Sequence, residues 1–419
     1  MLSIRFLTPL VLVIDAVLAA AAFFLGLFII MYSAVQDARQ QRRLATISVI
    51  KKDLKGFASL DVPNIDTSLR AIIENANPSQ FIEIARNSRQ LLSQEDEKKF
   101  RRQLAASSKI SELERAALSN KDKSRRIPAI ICIGYAGSLT SLGILANTIF
   151  DEDEDVSYFS MLALAQAKTP AAAHILMEFL EKHTDAAWRI ASLLESFPQE
   201  AAYEIAKTTQ SAKSIARFWA VKILTKFKPF WYLKEIEALT ADVYPDVRAA
   251  SCECLAAIKS KDSKGPLIRC LGDDVWFVRM HAIRALSKIL EKDAVVYVAP
   301  FIEDNIWLVR DSVKKAIIPY PETAVKYVVE ALVGSGAEIK SDCIDVLVES
   351  GYIKVLLEQA ISDNTKARNQ AKSLLETIIN TGIYFGLKRC VNRFDDDEWS
   401  RMLKVVSSID KNLAEKIQL

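Results

Sequence analysis

One pattern constrains this chain more than any other: the pair Val-Arg recurs, evenly spaced, at Val247-Arg248, Val278-Arg279 and Val309-Arg310. Six positions before each arginine stands an aspartate, at Asp242, Asp273 and Asp304. Arg217 precedes Arg248 by the same interval, and Arg189 precedes Arg217 by a slightly shorter one. Ser157 and Arg126 continue the series backwards; Ser341 continues it beyond Arg310, and Arg368 opens one more degraded copy. Three places beyond each anchor stand Ala129, Ser160, Ser192, Ala220, Ser251, Ala282, Val313, Ile344 and Ala371, all small or apolar. Seven places beyond stand Ile133, Leu164, Ser196, Leu224, Leu255, Leu286, Ile317, Val348 and Leu375, where only Ser196 breaks the apolar rule. Positions three and seven share one side of a helix. A unit of this length has room for two short helices and two turns, and buries its apolar face only by stacking on its neighbours.

Composition agrees. Twelve glycines and twelve prolines in 419 residues are too few for the turns of an all-β protein, and half the residues are apolar. The fold class expected is all-α: an α-solenoid of about eight or nine helical hairpins. The pattern D-x-x-x-x-V-R-x-x-A-x-x-A-L, clearest from Asp273 to Leu286, resembles the short bacterial HEAT-like repeat. Arg125 to Ala129, leading to Gly134-Tyr135-Ala136-Gly137, looks like a first repeat of that kind. The resemblance covers about 124–376 and implies that the repeated residues Asp242, Asp273, Asp304, Arg248, Arg279 and Arg310 serve repeat stacking. It is weakest at 183–215, where the spacing shortens and Glu195 and Ser196 fall at core positions, so a bend or irregular repeat is expected there.

The N-terminus reads differently. The whole stretch from Pro9 to Tyr32 carries a single charge, Asp15. At ~1.5 Å per residue it spans a ~30 Å hydrocarbon core. A signal peptide would have a shorter apolar stretch; here a further, mainly apolar run follows Ala19-Ala20-Ala21, which favours an uncleaved anchor. Only Arg5 precedes the span, whereas Arg39, Arg42, Arg43, Lys51 and Lys52 follow it. The expected topology is single-pass in a bacterial inner membrane, N-terminus out and the bulk of the chain cytoplasmic. Asp15 either pairs with another membrane protein inside the bilayer or sits at the outer headgroups, if the span slides to 16–35. Basic side chains outnumber acidic ones over 36–127, and acidic ones hold a slight excess over 128–419. The expected divisions are a short tail at 1–8, a transmembrane helix at 9–32, a basic helical juxtamembrane region at 33–122 that attracts anionic headgroups, the repeats at 123–376 and a helical cap at 377–419.

Catalytic signatures are absent from the sequence. Cys132, Cys252, Cys254, Cys270, Cys343 and Cys390 have no zinc or disulfide-framework spacing and read as reduced core thiols. His174, His183 and His281 show no ligand spacing, and there is neither a glycine-rich phosphate loop nor a G-x-S-x-G. The run Asp151–Asp155 reads as a solvated turn. The expectation is no enzyme, no metal and no cofactor, and the acidic balance of the repeats argues against nucleic acid. Trp276 and Trp307, one repeat apart, are candidate partner-binding residues, as two rings stacked along one edge; Trp231 and Tyr232 in the loop FKPFWY are two more. The expected role is a scaffold or adaptor for a protein partner, itself membrane-associated. The rivals are a HEAT-like enzyme, a nucleic-acid binder, and the same scaffold facing the periplasm.

Overall fold

The computed structural model describes residues 31–34, 37, 41, 93–119, 122–360, 362–380 and 396–409. The expected transmembrane segment 9–32, except for its last two residues, and most of 33–122 lie outside the described residues, as do Asp15 and Cys390. Among the described residues no helix is long and apolar enough to cross a membrane. All regular structure among them is helical. The chain divides into two compact units, Met1–Ile175 and Leu176–Leu419, a division that falls inside the region expected to be repeats.

In the first unit α1 (Gln94–Ala105), α2 (Ser108–Ser119), α3 (Lys123–Ala136), α4 (Leu139–Thr148) and α5 (Glu154–Ala167) follow one another, and α6 (Pro170–Lys182) runs across the division. Polar side chains start these helices. Asp122 accepts from the Ser124 amide, Ser138 from Ser141, and Asp153 from Asp155 and Val156, satisfying amides that a helix start leaves open. Helix α3 packs on both α2 and α5. The α3–α5 contact is close: a Cβ on Gly134 would lie 2.4 Å from Ala163 Cβ and 2.8 Å from its carbonyl oxygen.

The second unit holds α7 (Ala187–Leu194), α8 (Ala202–Lys207), α9 (Ser214–Phe227), α10 (Leu233–Leu239), α11 (Pro245–Ile258), α12 (Lys264–Leu271), α13 (Trp276–Leu290) and the short α14 (Val295–Val298). After them come α15 (Trp307–Ile317), α16 (Pro321–Gly334), α17 (Ala337–Glu349), α18 (Tyr352–Ala360), α19 (Thr365–Asn380) and α20 (Asp396–Ile409). Helices α9, α11, α13 and α15 carry the arginine register and lie side by side, each also packed on its shorter partner. The third and seventh positions beyond the anchors are buried in every copy but one.

That exception corrects the sequence reading. Ser192, Glu195 and Ser196 are exposed, and so is Arg189. Ile190, Ala191, Leu194 and Phe197 are buried instead, in the spacing of Ala220, Val221, Leu224 and Phe227. The anchor of this copy is therefore Ala187, midway in sequence between Ser157 and Arg217. A surface arginine two positions downstream had stood in for it. Helix α7 has 8 residues and α8 has 6, so the copy is irregular in its short helices, while its spacing, counted from Ala187, is nearly that of the others.

Four of the long helices, α3, α5, α9 and α11, end in left-handed residues at equivalent places: Gly137, Lys168, Lys228 and Lys259 have φ of 62°, 51°, 48° and 61°. Glycine adopts this conformation freely, whereas lysine is strained in it. Lys259 is exposed, and Lys259→Gly is expected to stabilise the second unit by about 0.5–1 kcal/mol. An unchanged or lower midpoint in chemical denaturation would contradict the strain.

Candidate docking edges of the repeat stack

The repeated arginines and aspartates form one connected ladder. Arg248 donates from Nε and Nη2 to the two carboxylate oxygens of Asp273 at 2.6 and 2.8 Å, and from Nη1 to the Asp242 carbonyl at 2.9 Å. Arg217 does the same with Asp242 and the Ser211 carbonyl, and Arg279 with Asp304 and the Asp273 carbonyl. Each guanidinium thus fastens its own inter-repeat turn to the next one along the chain. Each carboxylate also accepts the amide two positions later, at Tyr244, Val275 or Ile306, where the next long helix begins. The planar guanidinium matches a carboxylate bidentately, which lysine cannot do.

The first unit repeats the device: Arg126 donates to Asp151 at 2.5 Å, with the same sequence separation. The run Asp151–Asp155 is therefore an ion-paired, capping turn, with Asp155 on Lys123 at 2.6 Å. Ser157, in an arginine position, donates only to the Ile149 carbonyl. The ladder changes at its far end. The register places Ser335 where an aspartate would be, and Arg310 turns to Asp342 of α17 at 2.6 Å and Glu338 at 3.4 Å, with Lys314 also on Asp342.

The electrostatics follow from the pairing. Burial pushes the Asp242 carboxyl up, but the Arg217 hydrogen bonds, the Tyr244 amide and the charge of Arg248 outweigh it and hold it below 3.8. Asp273 is lowered in the same way by Arg248, the Val275 amide and Arg279 against its burial. In Asp151 the Arg126 bond dominates and lowers it. A carboxyl depressed in the folded state contributes stability that is present above its unfolded value and lost as pH falls through the folded one. Acid unfolding is therefore expected to set in below about pH 4, with Asp242→Asn and Asp273→Asn flattening the dependence there; an unchanged profile would contradict it.

The four aromatic candidates occupy opposite edges. The long helices of the second unit lie side by side in the same direction, so their starts mark one edge and their ends another. The two are separated by about 20 Å, the rise of about four helical turns. Trp276 and Trp307 open α13 and α15 on the edge where the ladder runs. Trp307 is 63% exposed and Trp276 half-buried, edge-on to Phe277 at 5.7 Å. The expected stack of these two rings is not formed: among the described residues no ring contact joins them. Val243 and Tyr244, on the preceding turn of this edge, are 86% and 49% exposed, with the Arg217 guanidinium 5.5 Å from the Tyr244 ring. Sequence reasoning missed them because it counted only residues recurring at the tryptophan position, which in this copy is Pro245.

Trp231 and Tyr232 lie on the other edge, in the 3-10 turn Phe230–Tyr232 between α9 and α10, not near Trp276. Trp231 stacks on Tyr203 of the preceding repeat at 4.1 Å, and the Tyr232 hydroxyl shares a 2.9 Å hydrogen bond with Thr209. Phe230 is 65% exposed.

The described cysteines, Cys132, Cys252, Cys254, Cys270 and Cys343, are free and buried. Burial pushes the Cys254 and Cys343 thiols up to about 12 and Cys132 higher still. His281 is half-buried; burial lowers its pKa, Glu253 opposes this, and Arg284 and Lys222 add to it. Among the described residues no three His, Cys, Asp or Glu side chains converge as a metal site.

Residues 233–318 match the family described as HEAT repeats, a stretch containing three of the ladder arginines. Among solved structures, an engineered protein is similar at 15% identity, over 87% of this chain and 98% of that one, with a TM-score of 0.31. The karyopherin Kap121p bound to the SUMO protease Ulp1p is similar at 14% identity and TM-score 0.42, over 88% of this chain. The chain spans about half of that karyopherin, 49%. The complex of CpcE and CpcF of phycocyanin lyase from Nostoc sp. is similar at 16% identity and TM-score 0.27, over 64% of this chain and 94% of that one. No curated protein matches the sequence.

Proposed function

We propose that this chain is a scaffold, without an activity of its own, whose helical repeats hold a protein partner at a membrane. The observation that carries the reading is the ladder edge of the second unit. Val243, Tyr244 and Trp307 stand exposed there on turns that the arginines fasten together. Aromatic side chains held on a rigid frame supply contact area at low entropic cost, and tryptophan and tyrosine are enriched among the residues that dominate interfaces. Restrained turns suit a partner that lies along several repeats.

The anchor at 9–32 supplies the location: a bacterial inner membrane, with the repeats in the cytoplasm and the partner itself a membrane-associated protein. Native thiols are poor reporters of this topology, because those described are buried. Val243→Cys offers an exposed one. Labelling of that cysteine by an impermeant maleimide in intact cells would reverse the orientation.

Affinity purification of the full chain in mild detergent, beside one starting at Gln36, tests the scaffold reading. The expected result is one protein recovered in stoichiometric amount with both forms and lost from both on Val243→Asp with Trp307→Asp. Recovery unaffected by those changes, or no stoichiometric protein, would overturn it.

A further inference from the structure

Over residues 226–307 the two edges of the second unit differ in charge, whereas the turn before them on the helix-end edge, 195–200, holds Glu195 and Glu200 and no base. On the ladder edge each of the turns 240–246, 272–276 and 303–307 holds two acids and no base, and a ladder arginine follows each. On the other edge the turn 226–234 holds three lysines and no acid, 259–264 three lysines and one acid, and 288–293 two of each. The basic excess peaks where the aromatic residues are. Lys226 and Lys228 are exposed and form no ion pair among the described residues, while Lys234 pairs with Glu237 at 2.9 Å. Between them Phe230 and Trp231 project, held by the Tyr203 stack and the rigid Pro229.

Lysines around exposed Trp and Phe are the composition of a headgroup-level contact: the rings settle at the boundary of hydrocarbon and water while the ammonium groups meet lipid phosphates. We propose that this edge rests on an anionic bilayer surface, with Phe230 and Trp231 entering the headgroup layer. Charge complementarity selects lipid here over a protein groove, because a protein interface core is depleted in lysine. The ladder edge, being acidic, then faces away from the bilayer and stays open to its partner. The inference concerns a separate surface and does not require a protein partner; the anchor only raises the local concentration of lipid.

The full chain is reconstituted into phosphatidylcholine vesicles with and without phosphatidylglycerol, carrying an environment-sensitive fluorophore at Phe230→Cys, with labelling of the parent chain subtracted. Doxyl-labelled lipid is expected to quench the fluorophore several-fold more strongly when phosphatidylglycerol is present. Lys226→Glu with Lys228→Glu is expected to remove most of that difference at unchanged helicity. Equal quenching in both vesicle types, no quenching in either, or shielding from an aqueous quencher that requires added protein would each overturn the proposal. Whether the chain resists extraction by alkaline carbonate is scored separately and reports on the anchor alone.

Discussion

Gly134→Ala is expected to cost the first unit about 3 kcal/mol, because the added methyl has nowhere to go. It would overlap the Cβ, Cα and carbonyl oxygen of Ala163, at 2.4, 2.7 and 2.8 Å. Two of those three atoms are backbone, so no rotamer change relieves the contact and α3 must move off α5. Overpacking a tight site costs about 1–3 kcal/mol, and more where backbone has to shift. The gain in helix propensity on replacing glycine, about 1 kcal/mol, is too small to compensate. Gly143 is the control: it lies exposed within α4, and a Cβ there meets nothing within 4 Å. Gly143→Ala is therefore expected to stabilise by about 0.5–1 kcal/mol. Hydrogen exchange of the α3 and α5 amides reads both locally; equal protection in Gly134→Ala and the parent would mean that the helices do not approach so closely.

The second large effect belongs to Asp273. Removing its carboxylate leaves Arg248, only 17% exposed in its side chain, without its two best acceptors, and it also strips the Val275 amide at the start of α13. Breaking a buried pair by deleting one partner costs about 3–5 kcal/mol, against about 0–1 kcal/mol for an exposed pair. Some solvent reaches this one, so Asp273→Ala is expected to cost about 3 kcal/mol. Glu178→Ala, which breaks the exposed pair with Lys182, is expected to cost less than about 0.5 kcal/mol. Adding Arg248→Met to Asp273→Ala should recover part of the loss, because it removes the orphaned charge. A loss no larger than that of Glu178→Ala would reduce the ladder to decoration.

Much of this was legible in the residues, and the reasons differ by feature. The period and the small or apolar residues at positions three and seven needed no coordinates, since a repeat core is local and recurs. The ladder was half legible: an aspartate before each arginine, repeated in the next copy, sets the partner's separation, as Arg126 and Asp151 also show. The irregular repeat was located but misregistered, because Arg189 imitates the anchor while the burial of Leu194 and Phe197 sets the phase. No sequence signal said that Arg310 would reach into α17 for Asp342; that choice depends on where the helix lies once Ser335 supplies no carboxylate. The aromatic residues were found as residue types but not as places. Edges are a property of stacked helices, and successive loops, such as those of Trp231 and Tyr244, can end on opposite ones.

The central claim is that the ladder edge holds a protein, and site-directed photocrosslinking from position 307 tests it most directly. The full chain, expressed in its native cells with a photoreactive residue replacing Trp307, is irradiated beside one with the same residue at Phe230. The account predicts one crosslinked protein from position 307, abolished by Val243→Asp, and no such adduct from position 230. No protein adduct from 307, or one that persists with Val243→Asp, would contradict it.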